Sequence, residues 1–544
     1  MFADLIFMGG TILTMSDRNP TAEAIVIKGE RIVAVCKKDN VMEFIGPSTR
    51  VVKLQGSQTL MPGFIEPHTH PSLVAKFSTF YDVSGFTCNT FQDVKNVIDK
   101  AVKETEQKPQ VPLPWIVFKG WDPALITDLP SLNAKELDAL VSPKYPVLVL
   151  SQMYWLNTKG LEVCNITKDT SVPKGGMIAT DENGNPSGMV KEALELAMNK
   201  LPNPSPLEMG KLTFDTLKQY SQLGFTTVTE LGTINLDVFT LAFLSFITLC
   251  PECPVRIGVF YTPGNKPPIH YVNNKLWFPG VKIWADGSPY TGTMAVREPY
   301  LQTSMTEALE FDPNYPCGIL IYDSIVNQAD AVRPYQSDLI ATHAHGERAI
   351  DQSLDVYEKL IEEQGPGDHR YRLEHVGLIT KEQLQRATKL GVTVTIFVDY
   401  VYYYSVALRD GILGKDRARR FAPVGLATQC GQKHWTLHVD SPCFPNNPFL
   451  SMKTAITRRM WKEDGVLEPP NENYRATIDE VLKAYTINAA WQLKRESDLG
   501  SLDVGKIADL VILSDNPKAV DPEKLTCIKV VETYLGGECY DHSK

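Results

Sequence analysis

Eight short apolar runs, each ending in polar or ionisable side chains and mostly followed by an amphipathic helix-like stretch, set what this chain can fold into. In order they are TLMPGFIEPHTH, GFTTVTEL, VRIGVFYT, GVKIWADG, LIATHAHG, YRLEHVG, VTVTIFVD and WTLHVDSP. Each has the length of one buried strand, and the repeated strand-then-helix order predicts a parallel sheet. Eight such units predict an α/β chain closed as a (β/α)8 TIM-like barrel, whose chemistry gathers at the carboxyl ends of the strands. The polar residues stand at those ends.

One spacing breaks the pattern. From His70 to Gly224 the chain is far longer than a strand-to-strand crossover needs. Residues 74–210 are therefore expected to form an insertion capping the active site, with strand-like PVLVLSQ, aromatic WIVFKGWD and turn-rich DENGNPSG. The barrel takes residues 61–73 and 211–499. Both termini alternate β-branched runs with turns: DLIFMGGTILTM and EAIVIKGERIVAVC at the start, IADLVILSD and CIKVVETYLGGECY at the end. Lys28-Gly29-Glu30-Arg31 suits a tight hairpin. Neither end is long enough to bury a core alone, so residues 1–60 and 500–544 are expected to combine into one small β-sandwich domain.

Composition narrows the partners. The 54 Lys and Arg against 64 Asp and Glu leave a net charge of −10, which repels a phosphate backbone, so no nucleic-acid partner is expected. MFADLIFMGGTILTM lacks a basic leader, and LDVFTLAFLSFITLC falls short of the ~18 apolar residues that a membrane span needs. The expectation is a soluble cytoplasmic protein without a membrane partner. The ten cysteines, with one CxxC at Cys250 and Cys253, read as reduced thiols. No dinucleotide fingerprint or P-loop points to an organic cofactor. The expected partner is a small-molecule substrate, and homo-oligomerisation is left open.

The sharpest local signal is Glu66-Pro67-His68-Thr69-His70. Strand side chains two apart share a face, so both imidazoles can reach one metal. Chance gives roughly a fifth of one His-x-His pair in a chain with ten histidines, yet His343-Ala344-His345 is a second. His375 in YRLEHVG and Asp440 in HVDSP add two more strand ends. Imidazoles and a carboxylate together suit zinc or another borderline divalent ion.

These motifs, with ADLIFMGGTILTM, VKIWADGS and LPSLNAKELDAL in order around them, resemble the amidohydrolase superfamily across nearly the whole chain. The resemblance is to the amidohydrolase-3 branch, which includes N-substituted formamide deformylases. It implies a metal centre of one or two ions on His68, His70, Lys282, His343, His375 and Asp440. It also implies that Lys282 can carry a carbamate formed with CO₂ and so become an anionic oxygen ligand; a charge partnership with Asp286 or Glu230 is the alternative. LSQMYWLNTKGL departs from the family by placing Gln152 where a histidine is frequent and Thr158 where a serine is, and Glu347 replaces a frequent Asp.

The implied activity is hydrolysis of a C–N bond in an amide, formamide or related small molecule, with Asp440 as general base and then general acid. Trp121, Gln152, Tyr290, His345 and Tyr402 are the candidate substrate contacts, with Tyr154, Trp155 and Tyr403 as further aromatic candidates. Arg297, Lys191 and Glu192 are candidates for meeting a charged substrate group, and Cys443 is expected to be a buried non-ligand thiol. Two alternatives stay open. One is a mononuclear deaminase on His68, His70, His375 and Asp440 with Glu230 shuttling protons; the other is a noncatalytic ligand sensor on a retained barrel.

Overall fold

A computed structural model of the chain describes residues 2–233, 238–471 and 474–540. The eight runs become eight strands: β1 (Phe64–Thr69), β2 (Phe225–Thr233), β3 (Arg256–Tyr261), β4 (Gly280–Trp284), β5 (Leu339–Ala344), β6 (Arg372–His375), β7 (Thr393–Ile396) and β8 (Thr436–Leu437). They pair in parallel and in chain order from β1 to β8. β8 returns beside β1, where the His70 amide donates to the Ser441 carbonyl at 3.0 Å. Such strands are covered on both faces, which is why β1, β3 and β7 are buried along their whole length and read as apolar runs.

Helices cover the outside for reasons legible in their residues. Pro206–Gln222 opens with a capping box between Ser205 and Glu208. Glu347–Gln364 buries Ile350, Leu354 and Tyr357, a stripe at helical spacing, against the barrel. Lys381–Leu390 starts on a Thr380–Gln383 capping box and ends at Gly391, whose φ of +70° suits a left-handed terminus.

The terminal residues form two small sheets. Leu5–Met8, Ala24–Lys28, Arg31–Cys36 and Arg50–Lys53 form a four-stranded sheet. Thr11–Ile12 and Thr59–Pro62 join Leu510–Leu513, Val530–Leu535 and Glu538–Tyr540 in a five-stranded one. Phe7, Ile25, Ile27, Leu60, Leu510, Ile512 and Tyr534 pack between the sheets. The hairpin sets Lys28 opposite Arg31, and Gly29 takes φ +56°, a conformation that L side chains rarely adopt. A bidentate pair from Arg256 of β3 to Asp509, at 2.7 and 2.9 Å, ties the barrel to the C-terminal strands.

The long gap holds its own six-stranded sheet, whose strands include Ile116–Lys119, Val147–Leu150, Tyr154–Leu156 and Pro186–Lys191. Gln152, between two of its strands, lines the cavity at the barrel mouth. Among the described residues, no helix is long and apolar enough to cross a membrane.

Candidate metal centre

β1 delivers the first two imidazoles. His68 and His70 lie two apart and face inward. His68 is fixed from behind: its Nδ1 lies 2.8 Å from Glu374 Oε2, and Glu374 is itself held by Arg372 Nε. Arg372 also donates to the Pro67 carbonyl at 3.2 Å. A carboxylate at Nδ1 keeps the proton there and leaves the Nε2 lone pair for the cavity.

Across the mouth, Asp440 Oδ1 lies 3.3 Å from His68 Nε2 and 3.1 Å from His70 Nε2. Yet that buried oxygen accepts no hydrogen bond. Three potential ligand atoms thus lie within 4.8 Å of one another, close enough to share one cation. On its other side, His70 Nδ1 approaches Glu230 Oε1 at 3.5 Å.

β5 and β6 supply the rest. His343 Nδ1 lies 3.0 Å from Asp286 Oδ1, and the same carboxylate collects the amides of His345, Gly346 and Ala295 at 2.9, 2.8 and 3.0 Å. Asp286 is thus occupied with β5 and is not the charge partner of Lys282. Gly346 is required at this bend because a Cβ there would stand 2.1 Å from the Ala295 carbonyl oxygen. His375 and Asp440 both take left-handed backbone, with φ of +71° and +54°. Non-glycine residues hold that strained conformation where the surrounding structure enforces it, most often at functional sites. His375 Nδ1 is buried without a hydrogen-bond partner, 3.9 Å from Asp440 Oδ2. Lys282 projects from β4 into the same space, its Nζ 5.6 Å from the Trp284 ring centre.

The electrostatics suit a cation. Burial holds His375, His345 and His438 well below the ordinary imidazole range, and crowding by neighbouring imidazoles adds to it. Neutral imidazoles have a lone pair to give. Burial opposes charge on Asp440 too, but the adjacent His68 and His70 outweigh it and keep the carboxyl well below its usual range. For His70 burial is likewise outweighed, by Asp440 and Glu230, and its pKa rises to about 9. Burial lowers Lys282 to about 8, against the pull of Glu374 and Asp440. Neutral imidazoles at His375 and His438, an ionised carboxylate and several orphaned buried donor atoms form a set that a divalent ion fits, and a cation there would take the place of the proton that Asp440 and Glu230 hold on His70. His68, His70 and Asp440 would hold it, with His343, His375 and Lys282 within the same cavity.

That cavity, of about 150 Å³, brings together all six residues named for the metal, with Gln152 and His345. Trp121, Tyr290 and Tyr402 do not line it. Trp121 is buried edge-on to Phe91, 6.2 Å between ring centres. The Tyr290 hydroxyl donates to buried Asp122 at 2.6 Å, as does that of Tyr404. Tyr402 packs against Tyr403 and Trp461. These rings satisfy their apolar bodies and polar tips in packing instead. Arg297 pairs with Asp351 at the surface, buried Lys191 donates to the carbonyls of Leu309 and Glu310, and Glu192 accepts from Thr291 and Thr293. Cys443, expected to be buried, is exposed and lines the cavity.

Sequence reasoning passes over Glu374, Trp284, Ser288, Phe397, Tyr400 and His438, and considers Asp286 only as a partner of Lys282. For His438 a signal exists, since His438-Val439-Asp440 repeats the two-residue spacing of the His-x-His pairs.

The chain is similar in fold and sequence to known proteins. A solved uncharacterised metal-dependent hydrolase from Pyrococcus horikoshii superposes with a TM-score of 0.73 at 21% identity, covering 95% of this chain and 99% of its own. Protein LONG AFTER FAR-RED 3 of Arabidopsis thaliana is 28% identical over 98% of this chain and 91% of its own length. N-substituted formamide deformylase of Arthrobacter pascens is 24% identical over 98% and 97%. The profile of the Amidohydrolase family matches residues 50–540, and the chain belongs to that family of metal-dependent hydrolases.

Proposed function

We propose that this chain hydrolyses a C–N bond of a small amide or formamide, using zinc or a similar divalent ion held at the mouth of the barrel. The observation that carries the reading is the meeting of His68, His70 and Asp440 around an oxygen that accepts no hydrogen bond. Similarity to N-substituted formamide deformylase supports the bond type.

A bound divalent ion supplies Lewis acidity toward both a water and the scissile carbonyl. The protein does the rest. Asp440, held ionised, accepts the water's proton as oxygen attacks the carbonyl carbon and returns it to the departing nitrogen. Glu374 keeps the His68 proton on Nδ1, and Asp286 does the same for His343. Lys282, lowered to about 8, presents more free amine at neutral pH than an exposed lysine, the form that takes up CO₂ as a carbamate. Trp284, Phe397 and Tyr400 give the cavity apolar walls, and Gln152 and His345 offer polar contacts to the substrate.

The test is metal analysis with intact mass, followed by formate and amine release from a panel of N-substituted formamides and acyl amides. Hydrolysis that depends on metal and falls in Asp440→Asn supports the reading. No metal after reconstitution overturns it. One ion per chain, an unmodified Lys282 and ammonia release from an aminated ring would establish the mononuclear deaminase instead.

A further inference from the structure

β8 ends at Leu437, and the chain continues through His438 and Val439 to Asp440. The His438 imidazole is completely buried, and neither ring nitrogen makes a hydrogen bond. His68 and His343 each have Nδ1 paired with a carboxylate; His438 has nothing at either end. Buried polar atoms in native proteins are nearly always satisfied by protein, water or an ion. What surrounds His438 narrows the choice. Its ring stacks on His68, 4.4 Å between centres and 10° from parallel, and stands 4.9 Å from His375. One donor atom each from His68, His375 and His438 lie within 4.8 Å of one another. All three residues are buried, whereas His70 and Asp440 are partly open to solvent.

We propose that His438 is a metal ligand, completing an inner, all-imidazole seat with His68 and His375 for a borderline divalent cation such as zinc. The inference rests on the reading above that the cavity holds a metal. Glu374 occupies His68 Nδ1, so His68 has only Nε2 to offer and can serve one ion at a time. The inner seat and the outer set of His68, His70 and Asp440 are therefore alternative positions for the ion that His68 holds. The difference matters for catalysis. An ion in the outer set engages one oxygen of Asp440 and leaves the other for proton transfer, whereas an ion in the inner seat leaves both oxygens free. Three neutral nitrogens also favour a softer ion than a carboxylate set does.

The test uses the full chain, stripped of metal and reloaded with Zn²⁺ or Co²⁺. Zinc affinity is read by competition with a chromophoric chelator in the parent, His438→Phe and His438→Cys. Phe keeps a flat ring against His68 and removes both nitrogens; Cys replaces the imidazole with a thiolate donor. The expected result is a loss of zinc affinity of at least about 100-fold in His438→Phe, as removal of a direct ligand exceeds the effect of an outer partner. The metal-free melting temperature of that variant should be unchanged or higher, because two unpaired nitrogens are gone. A purely structural histidine would show the reverse. Co²⁺-loaded His438→Cys should gain a near-ultraviolet thiolate-to-cobalt band absent from the parent, where Cys443 is the control thiol. Parent-like zinc affinity in His438→Phe with no such band in His438→Cys overturns this inference and leaves the proposed activity standing. A parent chain that binds neither ion overturns both.

Discussion

Glu374→Gln tests whether the site is built from behind. Glu374 is completely buried and joins two partners: His68 Nδ1 at 2.8 Å and the Arg372 guanidinium. Burial alone would raise its carboxyl, but Arg372 and His68 hold it well below the usual range, so it is charged at any pH of interest. Glutamine keeps the volume and removes the charge. Arg372, 2% exposed, then retains only neutral acceptors in Gln492 and the Pro67 carbonyl. Leaving one member of a buried pair uncompensated costs about 3–5 kcal/mol, or roughly 3–5 °C in melting temperature for a cooperative unit of this size. Metal affinity should fall about 10–100-fold, since His68 loses the carboxylate that fixes its tautomer. Both are read on the full chain, stability by thermal unfolding of the metal-free form and affinity by chelator competition. Adding Arg372→Met should restore most of the stability but not the affinity. Unchanged zinc affinity in Glu374→Gln, or recovery of both properties in the double variant, would refute the claim that Glu374 orients a ligand.

Further outcomes follow from the same geometry. Asp440→Asn should lower turnover by roughly 10²–10⁴-fold with a smaller change in KM; steady-state kinetics decide, and a pure KM effect would remove Asp440 from proton transfer. Burial raises the Asp399 carboxyl to about 7, a hydroxyl donated by Ser451 only partly opposing it. The folded value lies above the unfolded ~3.9, so this group's contribution to stability is greatest below pH 4 and is lost between pH 4 and 7, at up to about 1.4 kcal/mol per pH unit. Asp399→Asn should remove that slope, gaining on the parent between pH 5 and pH 8 in denaturant midpoints; parallel pH profiles would contradict it. Chelation should lower the melting temperature by an amount set by free ion over Kd, about 4 kcal/mol at a thousandfold excess, and an unshifted melt would argue against a bound ion. Gly346→Ala drives a Cβ to 2.1 Å from the Ala295 carbonyl oxygen, so thermal unfolding should show a loss of about 1–3 kcal/mol.

The fold was legible because its demands are local. A parallel barrel strand is covered on both sides, so it must be a short apolar run, and the eight runs coincide with β1 to β8. A crossover has a typical length, so the excess between His70 and Gly224 exposed the insertion. The aromatic pocket was not legible, because an aromatic side chain is equally at home in a core. Asp122, buried beneath Tyr290 and Tyr404, settles where those rings point, and nothing in the sequence links residues so far apart. Glu374 was hidden for a sharper reason. Strict alternation would send Glu374 and His375 to opposite faces. The left-handed φ at His375 breaks that alternation at the end of β6, so consecutive residues both reach the site, one behind His68 and one before it.

His438 is passed over for a different reason. HVDSP is read for its carboxylate because a carboxylate at a strand end suggests chemistry by itself, whereas one further histidine does not. Its significance comes from burial: an imidazole enclosed with both nitrogens unpaired is unfavourable unless something satisfies it. Closure of the barrel sets His438 against His68 and His375, which β1 and β6 present. Only that closure supplies its company. A division runs through the whole centre: His68, His70, His343 and Asp440 declare themselves by position along their strands, while Glu374, Asp286 and His438 acquire a role from strands that are distant in sequence. Variants of the second group should therefore change metal affinity and ligand orientation first, and turnover only through them.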